Sequence, residues 1–147
     1  DIPFTAKYVE TVKQDGKLRE VFVGLGDDGF REITGELSSD ELEKYLVEQG
    51  VNLEEGQRAE VNLEALKWIR EADASLNNGY MITIDYGHEA PLLYPRRFFQ
   101  GTLLCYHQHN YTDNPYIRVG QQYITSHVNF TAMMKEGEKL GLSELLR

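Results

Sequence analysis

The chain has 147 residues, of which 41% are hydrophobic and 27% charged, with a formal net charge of −9. That is the composition of one globular domain able to bury a core of its own. No apolar run approaches the roughly 20 residues required to span a bilayer, so no membrane partner is expected. The charge is uneven: residues 1–80 hold 18 acidic and 9 basic side chains, whereas residues 81–147 hold 6 of each. Neither half carries the basic stripe that a phosphate backbone demands, which argues against nucleic acid. The acidic half reads as a solvated face that could also attract a basic protein segment.

The opening "DIPFTAKYVE" has neither an initiator Met nor the basic and apolar regions of a signal peptide, and the closing "LSELLR" starts a helical pattern. The chain therefore reads as an excerpt. Cys105 is the only cysteine, which precludes an internal disulfide and suits a reducing compartment. "NYT" at 110–112 and "NFT" at 129–131 match the glycosylation pattern but lack a secretory context.

In chain order, "FTAKYVETVK", "LREVFVGL" and "FREITGEL" predict three short strands of an antiparallel meander, joined at Asp15-Gly16 and at "GDDG". The glycines of "GLGDDG" fall between hairpin strands rather than between a strand and a helix, so no dinucleotide fingerprint is read there. Ser38 and Glu41 have the spacing of a capping box ahead of Leu42, Tyr45 and Leu46, with Gly50 as the stop. "VNLEEG" reads as a linker. A second helix is expected from Asn62 as N-cap, with Ala65, Ile69, Ala72 and Leu76 on one face and Trp68 beside them.

"YMITIDYG" (80–87) then reads as a central strand of an α/β sheet, covered on both faces, with Asp85 at its carboxyl end. Ligands of such sheets bind at that edge, which makes Asp85 a candidate site residue; the competing reading is a turn cap. "HEAPLLYPRRFFQ" is a crossing loop, "GTLLCYH" another strand, "NYTDNPYIRVG" a turn-rich connection and "QQYITSH" a short strand end. A helix over "NFTAMMKEGEKLG" is capped by Asn129 and stopped by Gly141.

Three chemistries are on offer in the second half. Cys105, His107 and His109 would share one face of a continuous strand, each about 7 Å from the next. Adjacent pairs could reach one ion, with His88 or a carboxylate completing the set. Cys105 could instead be a small core hydrophobe, or a nucleophile if exposed beside a base. His127, between a strand end and a helix start, is either a local hydrogen-bonding residue or a catalytic one, and Thr125 and Ser126 are equally open.

"GYMITIDYG", "GTLLCYHQH", "DNP…G…ITSHVNFTAM" and "GLS", in this order and spacing, resemble the MidA-type methyltransferases. That group includes mitochondrial complex I assembly factors described as protein arginine methyltransferases. "EGQRAEVN" and Trp68 are weaker anchors, and "DIP" resembles the family's "DALP". The resemblance implies the distal part of a class I, Rossmann-like S-adenosylmethionine-dependent α/β sheet. Residues 80–86 would be its fifth strand and 101–107 a later one. Residues 1–61 would be an insertion of β-meander and helix on the substrate side, and 62–147 the C-terminal part of the catalytic domain. Asp85, Tyr86, Gly87, Thr125, His109 and His127 match family motif positions: Asp85, His109 and His127 would be catalytic, and Tyr86, Gly87 and Thr125 would bind substrate. His107 falls on a variable position, so no metal is expected.

The cofactor implied is S-adenosylmethionine, with most of its site outside these residues, so the isolated chain should be inactive. The partner implied is a protein substrate, arginine being the plausible acceptor. Pairing with a second copy or with a missing N-terminal half is also expected. The compartment implied is the cytoplasm, or the mitochondrial matrix in a eukaryote. A non-catalytic interaction module of the same fold and a metal-dependent hydrolase are the alternatives. Two positions depart from the family pattern: Tyr123 and Asn129 stand where many members have Asp.

Overall fold

A computed structural model describes residues 9–27 and 29–143. Strands β1 (Val9–Gln14), β2 (Lys17–Gly26) and β3 (Gly29–Gly35) form the expected antiparallel meander. Asp15 (φ +52°) and Gly16 (φ +72°) make the tight turn that the Asp-Gly pair announces. The start of the first predicted strand, and the helix begun by the last four residues, lie outside the described residues.

An unexpected strand lies between the "VNLEEG" linker and the second helix. β4 (Arg58–Val61) pairs antiparallel with β1, in register Val9↔Val61 to Val12↔Arg58, and gives a four-stranded sheet of order β3-β2-β1-β4. Its far edge meets the second half of the chain: Arg58 N–H donates to the Phe99 carbonyl at 2.9 Å, and Arg58 bridges in parallel to Gln100.

Helix α1 (Glu41–Glu48) buries Leu42, Tyr45 and Leu46 as its spacing predicts. The Ser38–Glu41 capping box does not form. The buried Glu20 carboxylate takes the Ser38 N–H at 2.7 Å and fixes the chain on the sheet, leaving Asp40 at the N-cap without a side-chain cap. Ser39 Oγ accepts the Glu41 N–H instead. At the other end Gly50 N–H reaches the Val47 carbonyl and Val51 N–H the Leu46 carbonyl, the paired bonds of a Schellman stop.

Helix α2 (Leu63–Ser75) starts where predicted, with Asn62 Oδ1 accepting the Ala65 N–H at 3.0 Å. Two apolar clusters hold the molecule together. Leu42, Tyr45 and Leu46 meet Leu53, Ala59, Val61 and Ala132; Ala65 and Ile69 meet Val128 and Met133. Each such aliphatic side chain taken out of water contributes about 1.5–3 kcal/mol. The first cluster draws residues from both sides of position 61. Among the described residues no helix is long and apolar enough to cross a membrane.

Residues 80–86 do not form the expected strand. Tyr80, Ile82, Ile84 and Tyr86 are 78–88% exposed while Met81, Thr83 and Asp85 between them are partly covered, so exposure alternates as along a strand. A ladder, however, needs a partner on at least one edge, and only Gly87–His88 (β5) finds one, pairing parallel with Val128–Asn129 (β9). A short helix α3 (Ala90–Leu93) and a 3-10 turn (Arg96–Phe98) fill the crossing loop.

The next predicted strand is shorter than 101–107. β6 (Leu104–His107) pairs antiparallel with β7 (Asn110–Thr112) and with β8 (Tyr123–Thr125). Gln108 (φ +46°) and His109 (φ +66°) form the β6–β7 turn. His109 therefore does not continue the face shared by Cys105 and His107, because the chain reverses after His107. Helix α4 (Phe130–Lys139) is capped by Asn129, whose Oδ1 accepts the Ala132 N–H, and is closed by Gly141.

Arg58 leaves β4 between two carboxylates, 2.6 Å from Glu10 on β1 and 2.9 Å from Glu32 on β3. Tyr116 donates its hydroxyl to Glu32 at 3.1 Å and ties in the loop after β7. Arg58 holds the exposed Glu32 carboxyl below its usual range but does not offset the burial of Glu10. Burial pushes the Glu10 carboxyl up to about 7, Arg58 opposes that, and the nearby Glu60 and Glu32 charges add to it. The folded chain thus binds a proton that the unfolded chain releases between pH 4.5 and about 7, so this group's contribution to stability falls as pH rises through that window. Glu10→Gln removes this dependence. In thermal unfolding between pH 5 and 8, the melting temperature of Glu10→Gln minus that of the parent should increase with pH; a difference independent of pH would contradict the assignment.

Candidate functional site

The parallel pair β5–β9 organises the site. A Cβ at Gly87 would lie 2.1 Å from the Val128 carbonyl oxygen, so only glycine lets the two backbones approach this closely. Val128 N–H donates to the Tyr86 carbonyl at 2.9 Å. Continued one step back, the register Gly87↔Val128 sets His127 opposite Tyr86, with Asp85 one position further along, so Asp85 and His127 lie diagonally on adjacent segments. Asp85 Oδ1 accepts the Tyr86 N–H at 2.7 Å, which fixes the carboxylate, while Oδ2 is buried with no hydrogen-bond partner.

The His127 ring packs edge-on against two others, 5.3 Å from His88 at 69° and 5.7 Å from Phe98 at 81°. His88 and Phe98 stack at 6.4 Å, and the Arg97 guanidinium lies 5.1 Å from the Phe98 centroid. Burial, and then the adjacent His88, hold the His127 imidazole below the usual histidine range. It is therefore neutral at neutral pH, with a buried Nδ1 that has no partner. Asp85 thus offers an oriented carboxylate, which can bind a cationic nitrogen, and His127 a neutral imidazole, which can accept a proton.

The remaining sequence-predicted residues lie as follows. Tyr86 is exposed and contributes its backbone groups. Thr125 donates its hydroxyl to the Leu104 carbonyl at 3.3 Å, across the β6–β8 pair. His109 is exposed in the β6–β7 turn and is not brought to Asp85 or His127 by any hydrogen bond or ring contact given above. His107 Nδ1 bonds the Gln121 carbonyl at 2.7 Å. Cys105 is fully buried, and burial followed by the Asp113 charge raises its thiol above the usual range. Among the described residues no three His, Cys, Asp or Glu side chains converge on a point where a metal ion could sit.

The residues sequence reasoning missed are Phe98, Glu60 and Thr102, and His88 enters it only as a candidate metal ligand. His88 directly follows "DYG", one residue beyond a quoted motif, and Glu60 lies inside the weaker anchor "EGQRAEVN". Thr102 lies inside the quoted "GTLLCYHQH", and Phe98 carries no sequence signal of its own.

Both departures from the family pattern have a structural account. Tyr123 is an exposed β8 residue paired with Tyr106. Asn129 is buried and fully used. Its Oδ1 caps α4, and its Nδ2 donates to Gln49 Oε1 at 2.7 Å and to the Tyr94 hydroxyl at 2.8 Å. Gln49 Nε2 in turn donates to the Tyr45 carbonyl.

The described residues form a mixed α/β fold. A family model described as "Putative S-adenosyl-L-methionine-dependent methyltransferase" matches residues 7–145, and the chain belongs to that family. It is similar to a crystal structure from Burkholderia thailandensis described as a COG1565 superfamily member and "likely methyl transferase" bound to S-adenosyl-homocysteine. The two are 30% identical over 95% of this chain, with a TM-score of 0.83. It is also similar to a native crystal structure of an uncharacterised protein of that superfamily, from the same organism, at 31% identity over 90% of this chain and a TM-score of 0.80. The chain spans 36% and 35% of those two proteins. No curated protein matches the sequence.

An Asp at position 129 would supply no donors. Asn129→Asp keeps the helix cap but faces Gln49 Oε1 with an acceptor, and should destabilise the fold by about 1–3 kcal/mol. Chemical denaturation would show this as a lower midpoint with an unchanged slope; an unchanged midpoint would mean that Gln49 reorients without cost.

Proposed function

We propose that this chain supplies the acceptor side of an S-adenosylmethionine-dependent methyltransferase acting on a nitrogen of a protein substrate, with the arginine guanidinium as the acceptor. The observation that carries the reading is Asp85: a carboxylate held by its neighbour's N–H, with a buried oxygen left unpaired at the parallel β5–β9 contact. Such an oxygen is suited to a charge-assisted bond from a guanidinium N–H. The acidic balance of residues 1–80 would favour approach of a basic substrate segment.

The glycines of "GLGDDG" lie in the β2–β3 hairpin and make no cradle at a helix start. Two of the buried atoms without a partner, Asp85 Oδ2 and His127 Nδ1, suit a protonated nitrogen. The chain's residues thus fit the methyl acceptor better than the adenosyl end. When bound, S-adenosylmethionine supplies an electrophilic methyl group on a sulfonium. Asp85 would orient the acceptor nitrogen in line with that methyl, and positioning of this kind accounts for much of the barrier lowering in a displacement. His127, kept neutral by burial, would take the proton that the nitrogen loses.

The test uses the full-length protein, isotopically labelled S-adenosylmethionine and a cell extract as acceptor, with the methylated residue located by mass spectrometry. Methylarginine is the expected product; labelled methyl on a carboxylate, a thiol or lysine would overturn the arginine reading. Asp85→Asn should lower turnover by about 10- to 100-fold, the worth of one charge-assisted hydrogen bond. Its affinity for S-adenosylhomocysteine, read by calorimetry, should stay within about twofold of the parent, because the interaction is made to the acceptor. Full turnover in Asp85→Asn would remove Asp85 from the mechanism.

A further inference from the structure

A buried carboxylate outside the site is wired to it. Glu60, on β4, accepts the Thr102 N–H at 2.7 Å and the Leu103 N–H at 3.1 Å, and its second oxygen accepts the Thr102 hydroxyl at 3.1 Å. The same Thr102 oxygen accepts the His127 N–H at 3.0 Å. Glu60 and Thr102 are both buried. A Cβ at Gly101 would lie 2.3 Å from Glu60 Oε1, so the loop is shaped around the carboxylate. β4 also holds the segment just upstream, through Arg58 N–H to the Phe99 carbonyl, next to the Phe98 ring that packs on His127.

We propose that Glu60 is a positioning residue for His127, acting through the Thr102 hydroxyl, which donates to the carboxylate and accepts from the histidine backbone. This inference rests on the reading of His127 as the proton acceptor of the methyl-transfer site. A carboxylate in this place is costly unless it does something specific, because burial raises its proton affinity and the loop donors only partly offset that. Thr102 alone could orient its hydroxyl either way. With Glu60 accepting from it, the hydroxyl hydrogen is committed, and a lone pair faces the His127 N–H. The backbone of His127 is then fixed where β8 gives way to β9, and its ring is held between His88 and Phe98. Hydrogen bonds in such a chain reinforce one another in a low-dielectric interior.

The test reads the geometry of the ring, not turnover. Histidine-selective labelling of the full-length protein gives one ring signal for each histidine, with His127 assigned from the signal lost in His127→Asn. Thr102→Val removes the hydroxyl at nearly constant volume, Thr102→Ser keeps it, and Glu60→Gln weakens its acceptor. Thr102→Val and Glu60→Gln should shift, broaden or double the His127 signal while His107 and His109 stay in place, and Thr102→Ser should restore the parent signal. A His127 signal unchanged in Thr102→Val, even with a lowered melting temperature, would make the network structural only and overturn the proposal. Should Thr102→Val fail to fold, amide exchange in the parent decides: the His127 N–H should be protected at least about 100-fold, and free exchange would overturn the proposal. The methyl-transfer reading fails separately, if His127→Asn retains full turnover, so the two failures are distinguishable.

Discussion

The pairing of β1 with β4 is the constraint on which the rest of the molecule depends. Along one edge of β4 the ladder from Val9↔Val61 to Val12↔Arg58 ties the meander to the body. Along the other, Arg58 reaches Phe99 and Gln100 and sets the loop that leads into β6. Strand alternation divides the side chains. Ala59 and Val61 enter the core with Leu42 and Leu46, while Arg58 and Glu60 point to the other side. Four residues thus serve a core, an ion cluster and a loop clamp at once.

That placement explains the unusual cost carried by the charged members. Arg58 between Glu10 and Glu32, and Glu60 under the 101–103 loop, are carboxylate-rich arrangements in a partly dry setting. Apolar residues of similar volume would often be as stable or more so at such places. What they supply instead is register: Arg58 can satisfy Glu10 and Glu32 together only if β1, β3 and β4 are correctly aligned, and Tyr116 extends the same requirement to the loop after β7. The hydrogen-bond geometry around Glu60 is equally restrictive, since three donors must converge on one carboxylate.

How far the sequence discloses this depends on whether the signal is local. Asp15-Gly16, Asn62, Asn129, Gly50 and Gly141 act through their own backbone or the next turn, and the structure places each as its local pattern predicts. Features created by distant contacts were not legible. "RAEV" alternates but is too short to stand as a strand until β1 lies beside it, and the Ser38 N–H that Glu41 would accept in a capping box goes to Glu20, 18 residues earlier in the chain. The segment 80–86 shows the converse. Its alternating exposure has the period of a strand, but periodicity describes side chains, whereas a ladder is a property of two backbones. His109 fails for a related reason: alternation along "CYHQH" holds only while the chain runs straight, and two positive φ values turn it at Gln108.

The site itself combines both kinds of information. Asp85 and Gly87 belong to one short stretch, and the requirement for glycine at 87 is a matter of how close Val128 comes. His127 acquires its character from three non-local neighbours: His88 and Phe98 dry the ring, and Thr102 holds its backbone. An imidazole on an open strand end would titrate near its ordinary value and be partly charged at neutral pH. Enclosed in this way it stays neutral and able to accept a proton, while the Asp85 carboxylate keeps a buried oxygen without a partner. In the proposed methyl transfer, the division of roles between a group that attracts a cationic nitrogen and one that relieves it of a proton would follow from packing rather than from the identity of the residues alone.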